Sequence, residues 1–343
     1  MSLILPTRWL TAISFLFGCL FLLTACEQKP VQFSGETMGS TYHITVVDIP
    51  DGQQASTLEK DIADLLADAH ARLTTYDPAS ELNQFNNAPV GEWLTLSPVL
   101  HEALMLSFET SVLSAGAFDP TVAPLVNLWG FGPGKHTETV PNDADITKAK
   151  AAIGYAGLEL EAYEKRARKT RAIYLDLSGM GHGYGADLVA NYLDSKGVKN
   201  YLAEVAGESR TKGQRPGGGA WRLAIETPVA MQGEIFQAVH LDNIGIATSG
   251  DYRNYFEKDG VRYSHTIDPR TGRPINHTLA SVTVLDESAA RADALATALL
   301  VLGMEKGKLL ADSMAIPAFF IVRDGENFRG IATDTFKPYM NTK

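Results

Sequence analysis

Three short stretches bring together residue types that can do chemistry. In "RADALATALLVLG" (291–303), Asp293 and Thr297 lie four residues apart in a run otherwise rich in alanine and leucine. On a helix that spacing puts both on one face. A carboxylate and a hydroxyl are hard oxygen donors, suited to Mg²⁺ when water and substrate phosphate complete its shell. Two plainer readings stay open: Asp293 as a first-turn acid favoured by the helix dipole, and Thr297 bonded back to a carbonyl of its own helix. In "YSHTIDPRTGRPI" (263–275), His265 stands at a strand end just before a dense group of turn formers. A histidine there can act as a general base near neutral pH, or be a half-buried one with its hydrogen bonds satisfied. In "SGMGHGYGAD" (178–187), every second residue from Gly179 to Gly185 is glycine.

That glycine stretch is not G-x-G-x-x-G, because Tyr184 takes the place of the third glycine. Nor is "WGFGPGKHT" (129–137) a P-loop, because Trp129 stands where its first glycine must be. Neither standard nucleotide fingerprint is present. The glycines still let backbone approach a ligand closely, or else make a tight structural turn. The other seven histidines have no metal-ligand spacing, so no zinc site is expected.

These residues need elements to position them. "STLEKDIADLLADAHARL" (56–73) has helical apolar spacing, with Ser56 and Glu59 as a capping box. "SPVLHEALMLSFETSVLSAG" (97–116) reads as a helix capped by Ser97, with Pro98 in its first turn and Gly116 as its stop. A third helix is expected over 143–154, and others over 185–196 and 289–302. Strands are expected at 41–48, 172–178, 200–206, 220–226, 236–242, 279–285 and 317–323. The glycine stretch would then be a turn between a strand and a helix. Runs of strands with helices between groups point to an α+β fold, one domain with mixed or antiparallel sheets and flanking helices.

The chain has 343 residues, 45% of them hydrophobic, enough for a sizeable core. Forty acidic against 30 basic residues give a formal charge of −10, which repels phosphate backbones and argues against nucleic acid as a partner. Residues 1–25 read as a signal peptide, with Arg8 ahead of "LTAISFLFGCLFLLTA" and small residues before Cys26. "LTAC" resembles a bacterial lipoprotein processing site, whose cysteine becomes lipidated. Several acyl chains at ~0.8 kcal/mol per buried methylene hold a protein firmly to a bilayer. The competing reading is an uncleaved anchor, for which about 16 apolar residues is short. Residues 26–32 are then a tether and 33–340 the folded domain. Cys19 and Cys26 are the only cysteines, so no disulfide and no catalytic thiol is expected in the body.

Six blocks in order resemble the ApbE family, the FAD:protein FMN transferases. They are "GETMGSTYHI", "TTYDPASELNQFN", "GAFDPTVAPLVNLWGFGP", "LDLSGMGHGYGAD", "TSGDYRNYF" with "SHTIDPRTGRPI", and "DALATAL", spanning about 33 to 335. The resemblance implies an α+β fold and transfer of FMN from FAD to a threonine or serine hydroxyl of a target protein, with AMP released. It implies Mg²⁺ held by Asp293, Thr297 and a carbonyl near Gly179. It implies an FAD site lined by Met38, Tyr76, Ala117, Phe118, Asp119, His182 and Thr266, with His265 as base. It implies periplasmic acceptors of the Nqr or Rnf type. Together with the signal it implies a lipid anchor on the periplasmic side of the inner membrane. Two other readings remain: hydrolysis of FAD to FMN and AMP, and a non-catalytic flavin-binding lipoprotein. The chain departs from the family pattern at His182, where lysine or glutamate is usual, and at "AGESRTKG", where a double glycine with an acid is usual.

Overall fold

The computed structural model describes residues 29–132, 138–229 and 233–340. The signal-like segment, Cys26 and the end of "WGFGPGKHT" lie outside them. Among the described residues no helix is long and apolar enough to cross a membrane.

Eight strands form one antiparallel sheet in the order Val31–Thr37, Ser40–Val46, Tyr201–Val205, Glu208–Lys212, Gly245–Gly250, Leu279–Asp286, Ala318–Asp324 and Asn327–Ala332. Alternation of side chains assigns its two faces. Ala318, Phe320 and Val322 pack beneath a helix, whereas Phe319 and Ile321 pack with the hairpin Trp221–Glu226 and Ile235–Leu241 on the other side.

The helices are α1 (Ala55–Leu73), α2 (Glu81–Asn87), α3 (Pro98–Leu113), α4 (Ala123–Leu128), α5 (Asp143–Ala151), α6 (Gly181–Ser195) and α7 (Ala289–Ser313). α1 and α6 cover the sheet through Leu58, Ile62, Leu66, Val189 and Leu193. A lobe of α2, α3 and the small sheet Leu94–Thr95, Arg166–Lys169 and Leu158–Glu161 packs on the far side of α7.

α7 is thus enclosed, and its sequence divides into stripes. Ala292, Leu295, Ala296 and Leu299 face the sheet, while Ala290, Ala294 and Ala298 face the lobe. Small residues let α7 lie close to both. Between the stripes run Asp293, Thr297, Leu300 and Val301, which line a cavity. α7 continues past the expected stop at 302 but breaks at Gly303, whose φ is +76°.

Several expectations are corrected. The sheet takes in Val31 and Gln32, so its first strand begins inside the expected tether. α1 is capped at Gln54 with no side-chain bond, so the Ser56 box does not form. Ser97 does cap α3, accepting from the Leu100 amide at 3.2 Å, and Gly116 closes it at φ +77°. Residues 172–178 join no sheet, because side chains and the Pro120 carbonyl rather than a strand take up their backbone groups. α6 begins at Gly181, so most of the glycine stretch is helix rather than turn. Gly183 is required there, since a Cβ would lie 2.3 Å from the Ala289 carbonyl oxygen of α7.

Candidate active site

The lobe and the sheet meet over a cavity of about 470 Å³ at the Asp293–Thr297 face of α7. Asp293 is five residues into α7, past the first turn, and almost fully buried at 6% exposure. Its Oδ2 accepts from the Gly183 amide at 3.2 Å, so the acid faces α6 rather than its own helix end. Burial pushes its carboxyl up to about 7, with the Gly183 bond acting the other way. Thr297 Oγ1 shares a hydrogen bond of 2.9 Å with Ser249 Oγ, not one with a carbonyl of its own helix. Neither plainer reading of the pair therefore describes this structure.

His265 follows the hairpin Tyr255–Lys258 and Val261–Ser264. Its Nδ1 lies 2.9 Å from the Asn254 carbonyl oxygen. A carbonyl only accepts, so Nδ1 carries the proton and Nε2 keeps its lone pair. Burial lowers the pKa of His265 from 6.5, opposed by the Asn254 bond and the charge of Asp251. The ring is a neutral base near pH 7.

The third wall comes from the end of α3. The chain turns at Ala115 and Gly116, both with positive φ, and the Gly116 amide donates to the Ser111 carbonyl at 2.8 Å. That turn delivers Ala117, Phe118 and Asp119 to the cavity. Asp119 Oδ1 accepts from the Thr121 amide and hydroxyl at 2.8 and 2.6 Å, and Oδ2 accepts from the Tyr155 amide at 3.1 Å. Burial raises its pKa, and these donors pull it back. Gly179 lies beside Phe118, whose ring would be 3.0 Å from a Cβ there.

Tyr76, Ala117, Phe118, Asp119, Gly179, His265, Thr266, Asp293 and Thr297 thus face one space. Met38 and His182 do not. They line an adjoining hollow of about 560 Å³ with His70, Leu73 and Leu177. Tyr76 and Ser178 border both. Tyr76 is 73% exposed, whereas Phe118 is both core and cavity wall. Met38 and Gly39 form the two-residue turn between the first strands, both with positive φ. A methionine at φ +49° is strained, the kind of conformation that clusters at functional sites. His182 Nε2 lies 3.4 Å from the Met38 carbonyl oxygen, and burial lowers its pKa.

Other residues here escaped the sequence reading. Asp176, Ser249 and Arg253 also line the cavity. Glu208, which opens the strand Glu208–Lys212 in "AGESR", has its carboxyl raised by burial and then by the charge of Asp293. The blocks "LDLSG" and "TSGDYR" contain the first three, but nothing local marks one polar residue in them above another. Asp119, Asp176 and Asp293 outnumber the cationic Arg253 in the lining. An anionic ligand therefore needs a cation beside it. The carboxylate of Asp293 and the hydroxyl of Thr297 are hard oxygen donors of the kind Mg²⁺ takes, and Gly179 lines the same cavity.

The ApbE family matches residues 38–320 of the chain. A Vibrio cholerae serotype O1 protein named FAD:protein FMN transferase is 42% identical over 336 residues, covering 97% of this chain and 99% of that protein. An Escherichia coli strain K12 protein of the same name is 35% identical over 343 residues, covering 96% and 97%. The apo crystal structure of Pseudomonas stutzeri flavinyl transferase ApbE superposes with a TM-score of 0.83 at 42% identity, covering 92% of this chain and 98% of that one. The Thermotoga maritima ApbE protein superposes at 0.81 with 26% identity. Match, relatives and fold agree over nearly the whole described body, and the chain belongs to the ApbE family.

Proposed function

We propose that this protein is an FAD:protein FMN transferase. It moves FMN from FAD to a threonine or serine hydroxyl of another protein and releases AMP. The observation that carries the reading is one cavity holding an oxygen-donor pair on α7, a histidine with a free Nε2 and the buried Asp119 corner. The acceptor oxygen forms a bond to the phosphorus of the FMN half, and the bond from that phosphorus to the AMP oxygen breaks. The acceptor's proton goes to His265 Nε2. Asp119 accepts hydrogen bonds from a ribose hydroxyl or the adenine amine. Tyr76 and Met38 offer flat and polarisable surface to rings. Asp293, Thr297 and the Gly179 carbonyl would hold Mg²⁺, whose charge offsets that of the diphosphate.

The same proposal includes the anchor and the partner. "LTAC" supports lipidation at Cys26 and a place on the periplasmic side of the inner membrane. Acceptors there would be Nqr- or Rnf-type electron-transfer subunits. The test mixes the purified body with FAD, Mg²⁺ and such a periplasmic acceptor domain, and weighs the acceptor by mass spectrometry. A gain of one FMN is expected. An acceptor of unchanged mass would overturn the reading.

A further inference from the structure

Tyr76 and Ser178 border both hollows, so a molecule reaching from one into the other passes between them. Neither residue belongs to α2, and α2 lines neither space. Yet two asparagines of α2 hold the segments on which both sit. Asn83 Nδ2 donates to the carbonyls of Thr75 and Asp77, on either side of Tyr76, at 3.0 and 2.8 Å. Asn83 Oδ1 accepts from the Tyr174 hydroxyl at 2.9 Å. Three residues on, Asn86 Oδ1 accepts from the Leu175 amide at 2.7 Å, and its Nδ2 donates to the Leu175 carbonyl at 2.9 Å. Asn86 thereby replaces the partner strand that residues 172–178 lack.

α2 itself is fixed. Ser80 caps it by accepting from the Asn83 amide at 3.1 Å, Leu82 and Phe85 enter the core, and the buried Lys169 ammonium donates to the Asn86 carbonyl. Asn83 and Asn86 are 6% and 7% exposed. Buried amides held through both donor and acceptor are directional: an aspartate of the same shape keeps the acceptor and loses the donors.

We propose that Asn83 and Asn86 are positioning residues that hold the Tyr76 loop and the Tyr174–Ser178 segment at a fixed separation. They set the passage through which a dinucleotide spans the two hollows. The inference rests on the flavin reading above, with Met38 against a ring in one hollow and Asp119 bonding the ribose or adenine in the other. AMP or FMN alone occupies one side and does not depend on the passage, whereas FAD does.

The experiment measures FAD, AMP and FMN binding to the full chain by calorimetry with Mg²⁺, for wild type and Asn83→Asp. The FAD dissociation constant is expected to rise about tenfold or more, while those of AMP and FMN stay within about twofold. In turnover, KM for FAD rises more than kcat falls. Tyr174→Phe removes one hydroxyl, shifts FAD binding in the same direction by less, and decides the matter if Asn83→Asp does not fold. Unchanged FAD binding, or equal weakening of FAD and both fragments, would overturn the inference. A wild-type chain that binds no FAD would instead strike down the flavin reading, and this inference with it.

Discussion

The Ser288 hydroxyl at the head of α7 donates to Asp187 Oδ2 on α6 across 2.6 Å. Asp187 also accepts from the Ala289 and Ala290 amides at 2.9 and 3.0 Å. One carboxylate of α6 therefore caps α7, and the register of Asp293 and Thr297 depends on it. Asp187→Ala leaves two helix amides without acceptors and removes a negative charge from a helix N-terminus. Stability is expected to fall by about 1–3 kcal/mol, read from urea unfolding midpoints.

The two halves of the glycine stretch respond differently to a methyl group. Gly183→Ala pushes a Cβ into the backbone of α7 and should destabilise strongly, by about 3 kcal/mol or more. Gly181→Ala meets nothing within 4 Å and sits in the first turn of α6. It should be neutral or stabilising by up to about 1 kcal/mol. Thermal melts of the two variants check this, and equal losses would mean α6 and α7 do not touch as described.

His265 is a base only when neutral, and burial holds its pKa below 6.5. The neutral form therefore persists to lower pH than in a free histidine. With saturating Mg²⁺ holding Asp293 ionised, the acidic limb of kcat/KM against pH should fall with a midpoint below 6.5, and His265→Ala should abolish that limb. Turnover of the variant should drop roughly 10²- to 10⁴-fold, with FAD binding retained. Full turnover in the variant would remove His265 from the mechanism.

Asp293→Asn keeps the shape and removes the charge. FAD binding by wild type should tighten on adding Mg²⁺, and the variant's should not respond. Thr297→Val should reduce the response without abolishing it. Calorimetric titrations with and without EDTA measure both, and a variant that still responds fully would place the cation elsewhere.

What the sequence discloses follows how local each determinant is. Ser97, Pro98 and Gly116 bound α3 through contacts within a few residues, and α7 shows its polar pair in four-residue spacing. Residues 172–178 have a strand's alternation because Ile173, Leu175 and Leu177 are core residues. Their backbone partners, however, are an asparagine side chain and the Pro120 carbonyl, which no periodicity reveals. The Ser56 box satisfies the local rule, yet α1 is capped two residues earlier, at Gln54. Val31 and Gln32 look like tether until Val46 and Thr45 pair with them. Glu208 meets the field of Asp293 only through the fold. The separation of Met38 and His182 from the Asp293 cavity likewise depends on where α1, α2 and the first hairpin pack.

The strand Ser40–Val46 finds its second neighbour, Tyr201–Val205, only after α1 to α6 have been made. At ordinary ribosomal speeds of 5–20 residues per second, those roughly 150 intervening residues take on the order of ten seconds. Throughout that interval the nascent N-terminal hairpin presents an unpaired edge, a surface on which holding chaperones can act before the sheet closes.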